Sequence, residues 1–302
     1  MWDLAKQIGS NLLEGKDLVS VSLPVYLFEP RSFLHRVCDN WAFYNQFLYK
    51  AAREKDPVKR MALVVAFSIS GLHQTGICLK PFNPILGETY QAQYSPQQEH
   101  SHVIKQQQQQ QQQENLKNKK KSSSSSTSTL QSMGEEEANI STDGAQVFVE
   151  QISHHPPVTA WELRSNNGDF VYTGQAGYLA SIRGNALKGG QTGPHRIEFK
   201  DGGVIQYELP LFWLKGVMWG DRIMEYYGVV KYSDPINNLT CELVFHPDQK
   251  GFIRSFFQSA KTPSDTVRGE IKRVDDDEVL GSIEGSWLGY IDFTRNGKSE
   301  RL

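Results

Sequence analysis

From Val158 onward apolar and polar residues alternate in short segments, a period of two that extended backbone sorts onto opposite faces. "VTAWELRS", "FVYTGQA", "HRIEFKD" and "VIQYELPLFWL" carry the pattern, with turn signals at Asn167-Gly168, Gly189-Gly190 and Asp201-Gly202-Gly203. "MEYYGVVKYS", "LTCELVFHP" and "VRGEIKRVD" continue it as far as "VLGSIEGSWLGYIDF". Many short strands at close spacing predict an antiparallel meander curled into a barrel or a sandwich. Helices do not alternate with these strands, which argues against a doubly wound α/β fold.

The first part of the chain reads differently. In "MWDLAKQIGSNLLEG", Trp2, Ala5, Ile8, Leu12 and Leu13 recur at helical steps, with polar residues on the other face. "VSLPVYLFEP" is short and extended. "SFLHRVCDNWAFYNQFLYKAARE" predicts one helix entered through Ser32, with Phe33, Val37, Trp41, Tyr44 and Leu48 near one face. A further helix follows in "DPVKRMALVVAFSISGL", with Asp56 as cap and Pro57 at its first position. Residues 95–146 break the pattern with "KQQQQQQQQENLKNKKKSSSSSTSTL" and "GEEE". So little apolar surface cannot offset the entropy of ordering, and the stretch is expected to be a disordered Gln/Ser-rich insertion. It separates two domains or swells one loop of a single domain.

Charge and cysteine usage narrow the function classes. A net charge of −2 over 302 residues provides no basic field for nucleic acid. Cys38, Cys78 and Cys241 are scattered and odd in number, which suits a reducing compartment and offers neither a disulfide framework nor a zinc site. No apolar run reaches the roughly 18 residues of a spanning helix, and the N-terminus lacks a signal-peptide core. A soluble, cytoplasmic protein is expected. Nucleophile-elbow, H-E-x-x-H, Walker and dinucleotide motifs are absent from the sequence, so no enzyme activity and no cofactor are expected.

"EQISHHPPVTAW", residues 150–161, sets His154 and His155 side by side against Pro156 and Pro157. Such a pair serves a metal, a base or an anion, or is a polar turn. On extended backbone neighbouring side chains point to opposite sides, so the pair makes a poor chelate. Ser153 beside His154 lacks an acid and an oxyanion loop, which disfavours hydrolysis. For an anion the pair is better suited, since imidazole nitrogens donate hydrogen bonds and the prolines restrict the backbone. "LKPFNPILGETY", residues 79–90, adds Lys80 as a charge and Asn83 as an amide donor. Together the four form a donor set suited to phosphate oxygens. Spacing alone does not bring the two segments together.

"EQISHHPP" resembles the signature of the oxysterol-binding protein-related family, whose usual form has Val at the position of Ile152. "KPFNPILGETY" is similar to that family's second block, and "GKDLVSVSLPVYLFEPRSFLHR" resembles the stretch following its lid. "KGVMWGDRIMEYYG" and "IEGSWLGYIDF" extend the likeness over nearly the whole chain except the insertion. The resemblance implies a mainly β (α+β) fold: a near-closed antiparallel β-barrel around a hydrophobic tunnel, with an N-terminal helical lid. Residues 1–302 then form a single lipid-binding domain, with 1–22 as the lid and 95–146 as a loop insertion. It further implies a carrier that holds one sterol or glycerophospholipid and exchanges it for phosphatidylinositol 4-phosphate, with the head group held by Lys80, Asn83, His154 and His155. No metal is implied. The expected protein is a monomer that touches membranes peripherally and transiently.

Two departures temper the likeness. The chain ends soon after "EGSW", leaving without counterpart a Lys, a Glu and an Arg that the family's C-terminal region adds to the phosphoinositide site. Nor is there room before Trp2 for a pleckstrin-type targeting domain. A lipid sensor or scaffold, binding ligand without net transport, is therefore the alternative to a transfer protein.

Overall fold

A computed structural model of the chain describes residues 28–76, 80–95, 143–217, 219–246 and 263–302. The expected lid and residues 96–142 of the expected insertion lie outside these. The described residues open with β1 (Phe28–Ser32), α1 (Phe33–Cys38), α2 (Tyr44–Arg53) and α3 (Pro57–Ser70). Next come β2 (Lys80–Phe82), β3 (Thr89–Tyr94), β4 (Ala145–His154), β5 (Pro157–Ser165) and β6 (Phe170–Arg183). β7 (Ala186–Thr192), β8 (His195–Phe199), β9 (Val204–Tyr207), β10 (Leu211–Lys215) and β11 (Ile223–Asp234) follow. The last strands are β12 (Leu239–Phe245), β13 (Thr266–Arg273), β14 (Val279–Ser286), β15 (Tyr290–Arg295) and β16 (Lys298–Arg301).

The fold is mainly β, and β3 to β16 make one antiparallel sheet that bends into a near-ring. Its two edges are β3 and β16. Long strands β6 and β11 are bridged twice, by β7–β10 at one end and by β8–β9 at the other. β3 and β4 pair directly, Tyr94 opposite Ala145, so residues 96–142 connect the two strands of one hairpin. β4 begins at Ala145, inside the boundary expected for the insertion, because Ala145, Val147 and Val149 supply a buried face of period two.

Three expected elements divide differently. "SFLHRVCDNWAFYNQFLYKAARE" breaks after Cys38 into a 3₁₀ turn, Asp39–Trp41, before α2 resumes. Asp39 there accepts hydrogen bonds from Arg31 at 2.9 Å and Arg36 at 2.7 Å. "VIQYELPLFWL" is two strands, parted where Pro210 removes a backbone donor. Gly189-Gly190 is no turn but lies within β7. A Cβ on Gly189 would meet the Phe212 ring at 2.5 Å, so glycine there permits close approach by the neighbouring strand.

The helices supply the other side of the core. Ser32 caps α1 by accepting from the Leu34 amide, and Asp56 caps α3 by accepting from Val58, with Pro57 in its first turn. α3 is apolar nearly all round and is buried accordingly, packing on β11, β13, β14 and β15. Trp41 from the 3₁₀ turn meets Trp161 of β5 and Tyr172 of β6, while Phe67 of α3 packs edge-on against Tyr172. Among these rings His195 is fully buried and bonded through Nδ1 to the Tyr172 hydroxyl at 2.6 Å. Desolvation pushes its imidazole down to about 3.

Candidate functional site

Strand directions put the starts of β3, β5, β7 and β11 and the ends of β4, β6 and β10 at one end of the sheet, here the near end. All four expected site residues lie there. β2 runs parallel to β1, with Phe28 opposite Lys80 and Ser32 opposite Phe82. Phe28 and Phe82 stack at 4.9 Å between centroids, and the Lys80 ammonium lies 5.5 Å from the Phe28 ring centroid. Lys80 is half-buried, and that desolvation lowers its pKa. A cation held partly out of water gains more from an incoming anion than a solvated one does.

Asn83 and buried Pro84 open the turn from β2 to β3. Glu88 closes it. The Ile85 amide donates to Glu88 Oε2 at 3.1 Å, the Glu88 amide donates to the Ile85 carbonyl at 3.0 Å, and the Ser32 hydroxyl donates to Glu88 Oε1. Gly87 holds φ at 78°, the left-handed value glycine tolerates, and points its amide at the Gln151 carbonyl 2.9 Å away. The Gln151 amide in turn donates to the Glu88 carbonyl at 3.0 Å. Backbone bonds therefore join the "KPFNPILGE" turn to the "EQISHHPP" strand, a juxtaposition that spacing alone left open.

His154 and His155 cap the β4–β5 hairpin. His154 is register partner to Pro157, which leaves His155 and Pro156 as the two-residue turn. The expectation that the two imidazoles point to opposite sides assumed extended backbone through both; at the turn their ring centroids are 4.6 Å apart and inclined at 67°. Both rings are exposed. A bulge between Gln151 and Ser153 re-aims the strand just before them. Buried Gln151 fixes that bulge, donating from Nε2 to the Ser153 carbonyl at 2.8 Å and accepting from the Thr159 hydroxyl at 2.7 Å. The Ser153 hydroxyl donates to the Pro156 carbonyl at 2.7 Å, which occupies it within the turn.

The structure thus pairs the histidines with each other and ties their strand to the turn that carries Asn83. Lys80 stands on β2, three positions ahead of Asn83 and beside the Phe28 ring. Glu88, Gln151 and Thr159, which hold these pieces, are positioning residues that the sequence did not mark out, and Ser32 stood out only as a helix cap. Glu88, Gln151 and Thr159 stand inside the two quoted stretches, residues 79–90 and 150–161, and that is the only signal the sequence offered for them. Among the described residues no group of three His, Cys, Asp or Glu side chains is placed to hold a metal. What the arrangement offers chemically is several hydrogen-bond donors and one half-buried cation at the near end, a donor chemistry suited to anionic oxygens.

A family model described as oxysterol-binding protein matches residues 5–301. The chain belongs to the oxysterol-binding protein family. Within that family, oxysterol-binding protein 9 of Dictyostelium discoideum is 38% identical over 300 residues, covering 95% of this chain and 59% of that protein. Oxysterol-binding protein-related protein 5 of Mus musculus is 29% identical over 291 residues, 95% of this chain but 27% of its own length. The chain therefore spans less than two thirds of these family members. In fold it is similar to the crystal structure of the Osh3 ORD in complex with PI(4)P from Saccharomyces cerevisiae, with a TM-score of 0.66 at 21% identity, over 98% of this chain and 65% of that one. The Osh1 ORD domain in complex with ergosterol gives a TM-score of 0.67 at 21% identity, over 100% of this chain and 58% of that one.

Proposed function

We propose that this chain is a non-enzymatic lipid carrier that holds one sterol or glycerophospholipid at a time and exchanges it for phosphatidylinositol 4-phosphate between cytosolic faces of membranes. Lys80, Asn83, His154 and His155 hold the phosphorylated head group, and residues 1–302 act as one lipid-binding domain. The observation that carries this reading is the bonding of the Gly87–Glu88 turn to Gln151, which brings the turn that carries Asn83 and follows Lys80 beside the histidine hairpin in a member of this family. The Osh3 and Osh1 complexes, one with PI(4)P and one with ergosterol, supply the two ligand classes by analogy.

Physical scale supports a carrier. Burying about 400 Å² of sterol surface yields roughly 10 kcal/mol before the costs of association, enough to compete with a bilayer. A phosphorylated head group does not enter an apolar interior, so it stays at the near end among the donors while its chains replace the sterol. One site then holds either lipid, and a phosphoinositide gradient drives the other uphill. A liposome assay with labelled sterol and phosphoinositide tests this. His154→Ala with His155→Ala is expected to abolish phosphoinositide extraction while sparing sterol uptake. Equal loss of both ligands in a folded variant removes the head-group assignment, and extraction without delivery to acceptor vesicles makes the protein a sensor.

A further inference from the structure

Ile85, Trp219 and Leu86 are the three most exposed large hydrophobic residues among those described, at 71%, 66% and 64%. All three sit in turns at the near end. Neither turn is loose. Ile85 and Leu86 are held between buried Pro84 and the Glu88 and Gln151 bonds described above. Trp219 is pinned to the β6–β7 turn: its amide donates to Asn185 Oδ1 at 3.2 Å, and Asn185 Nδ2 donates to its carbonyl at 2.7 Å. Hydrogen bonds are thus used to hold apolar side chains out in water, an arrangement that folding alone does not reward.

Charge is arranged to match. Arg183 at the end of β6 and Arg222 beside Trp219 are exposed and have no ion-pair partner among the described residues, and both histidines lie at the same end. Of the acids there, Glu225 is paired with Lys215 and Glu88 is engaged by Ser32; Asp221 is exposed next to Arg222. At the far end Arg53 pairs with Asp143, Arg60 with Asp201 and Arg273 with Asp276, while Lys200 and Lys298 stay exposed.

We infer that the near end is a membrane-docking rim, in which Ile85, Leu86 and Trp219 enter the interface of a bilayer bearing anionic lipid while Arg183 and Arg222 face its head groups. A bilayer suits this surface better than a folded partner does, because separate protruding turns insert into fluid lipid without needing a complementary shape. Tryptophan prefers the interfacial depth, and cations near an anionic leaflet add to the attraction. The turn that inserts Ile85 and Leu86 also carries Asn83, so docking brings the head-group donors to the membrane surface. The inference rests on the carrier reading for its purpose and on the near-end geometry for its location.

Flotation of the whole chain with vesicles tests it. Phosphatidylcholine vesicles containing phosphatidylserine, without sterol or phosphoinositide, are expected to bind the protein more tightly than phosphatidylcholine alone. Ile85→Ser with Leu86→Ser, and separately Trp219→Ser, should each weaken binding about tenfold, with Trp219→Phe restoring most of it. Arg183→Glu with Arg222→Glu should erase the preference for phosphatidylserine, and Ile236→Ser at the far end should change nothing. Thermal melts confirm that each variant is folded. Wild-type binding by the near-end variants, or equal weakening by Ile236→Ser, overturns the rim. Sterol uptake from cyclodextrin, where no bilayer is present, separates the two readings. Docking in the expected pattern by a protein that takes up no sterol upholds the rim and removes the carrier.

Discussion

The two ends of the sheet are built from the same strands yet finished in opposite ways. Far-end turns such as Asn166–Asp169 and Asp201–Gly203 are short and polar, and these two are tied to the helices by charge. Arg53 reaches Asp143, Arg60 reaches Asp201, Arg295 reaches Asp56 and Lys59 reaches Glu300. Near-end turns are tied by backbone and side-chain amide hydrogen bonds, while Ile85, Leu86 and Trp219 face outward from them. One end closes the fold; the other is held ready for something else. The difference teaches that rigidity and stability are separable here, since the near end is rigid through bonds that leave its surface unsatisfied.

Breaking the far end should therefore cost the most stability. Arg60 is buried; its Nε donates to the Ala51 carbonyl at 3.1 Å, Nη2 to the Glu54 carbonyl at 2.7 Å, and its guanidinium holds the Asp201 carboxyl below the usual carboxylate range. It also lies over the Phe199 ring at 4.9 Å. Arg60→Ala takes donors from two carbonyls and the partner from an acid, and an expected loss of about 3 kcal/mol should appear as a lower urea midpoint with unchanged slope. A loss under about 1 kcal/mol would show that the charged clamp is ornamental.

Acid should act on the far half next. His195, at the start of β8, has a folded pKa near 3, well below its ordinary value of 6.5, because burial disfavours the imidazolium. The unfolded chain takes up that proton first, so stability is complete above about pH 6.5 and falls as pH drops toward 3. Between pH 7 and pH 5 the expected loss from this group is about 2 kcal/mol. His195→Phe keeps the ring stacked on Tyr207, whose centroid lies 4.9 Å away, and should remove that slope while imposing a constant penalty for the Tyr172 hydroxyl. An unchanged slope in urea titrations at the two pH values would place the titrating group elsewhere.

How much of this was legible in advance follows from which interactions are local. Period-two alternation marked the strands because a residue's face depends only on its neighbours. Caps at Ser32 and Asp56 were readable for the same reason. Gly189-Gly190 was misread as a turn because the reason for its glycines, Phe212 leaning across from β10, lies more than twenty positions away. The site divides along the same line. His154, His155, Lys80 and Asn83 stood out as donor chemistry, but Glu88 and Gln151 act through Ser32 and Gly87, partners that only the fold brings near. Family likeness named the motifs without saying how one is bonded to the other.

The smallest expected effect sharpens the comparison most. Trp219 and Ile236 are nearly equally exposed, at 66% and 63%, one at each end of β11. Neither side chain contributes much buried area, so Trp219→Ser and Ile236→Ser should each shift the unfolding free energy by no more than about 0.5 kcal/mol. If the near end were merely an untidy version of the far end, the two variants would also behave alike in every other assay. An exposed tryptophan held by two Asn185 hydrogen bonds predicts otherwise: matched urea curves, and divergent vesicle binding. A loss of more than about 1 kcal/mol from Trp219→Ser alone would mean that the ring supports the fold, and the near end would then differ from the far end in composition but not in role.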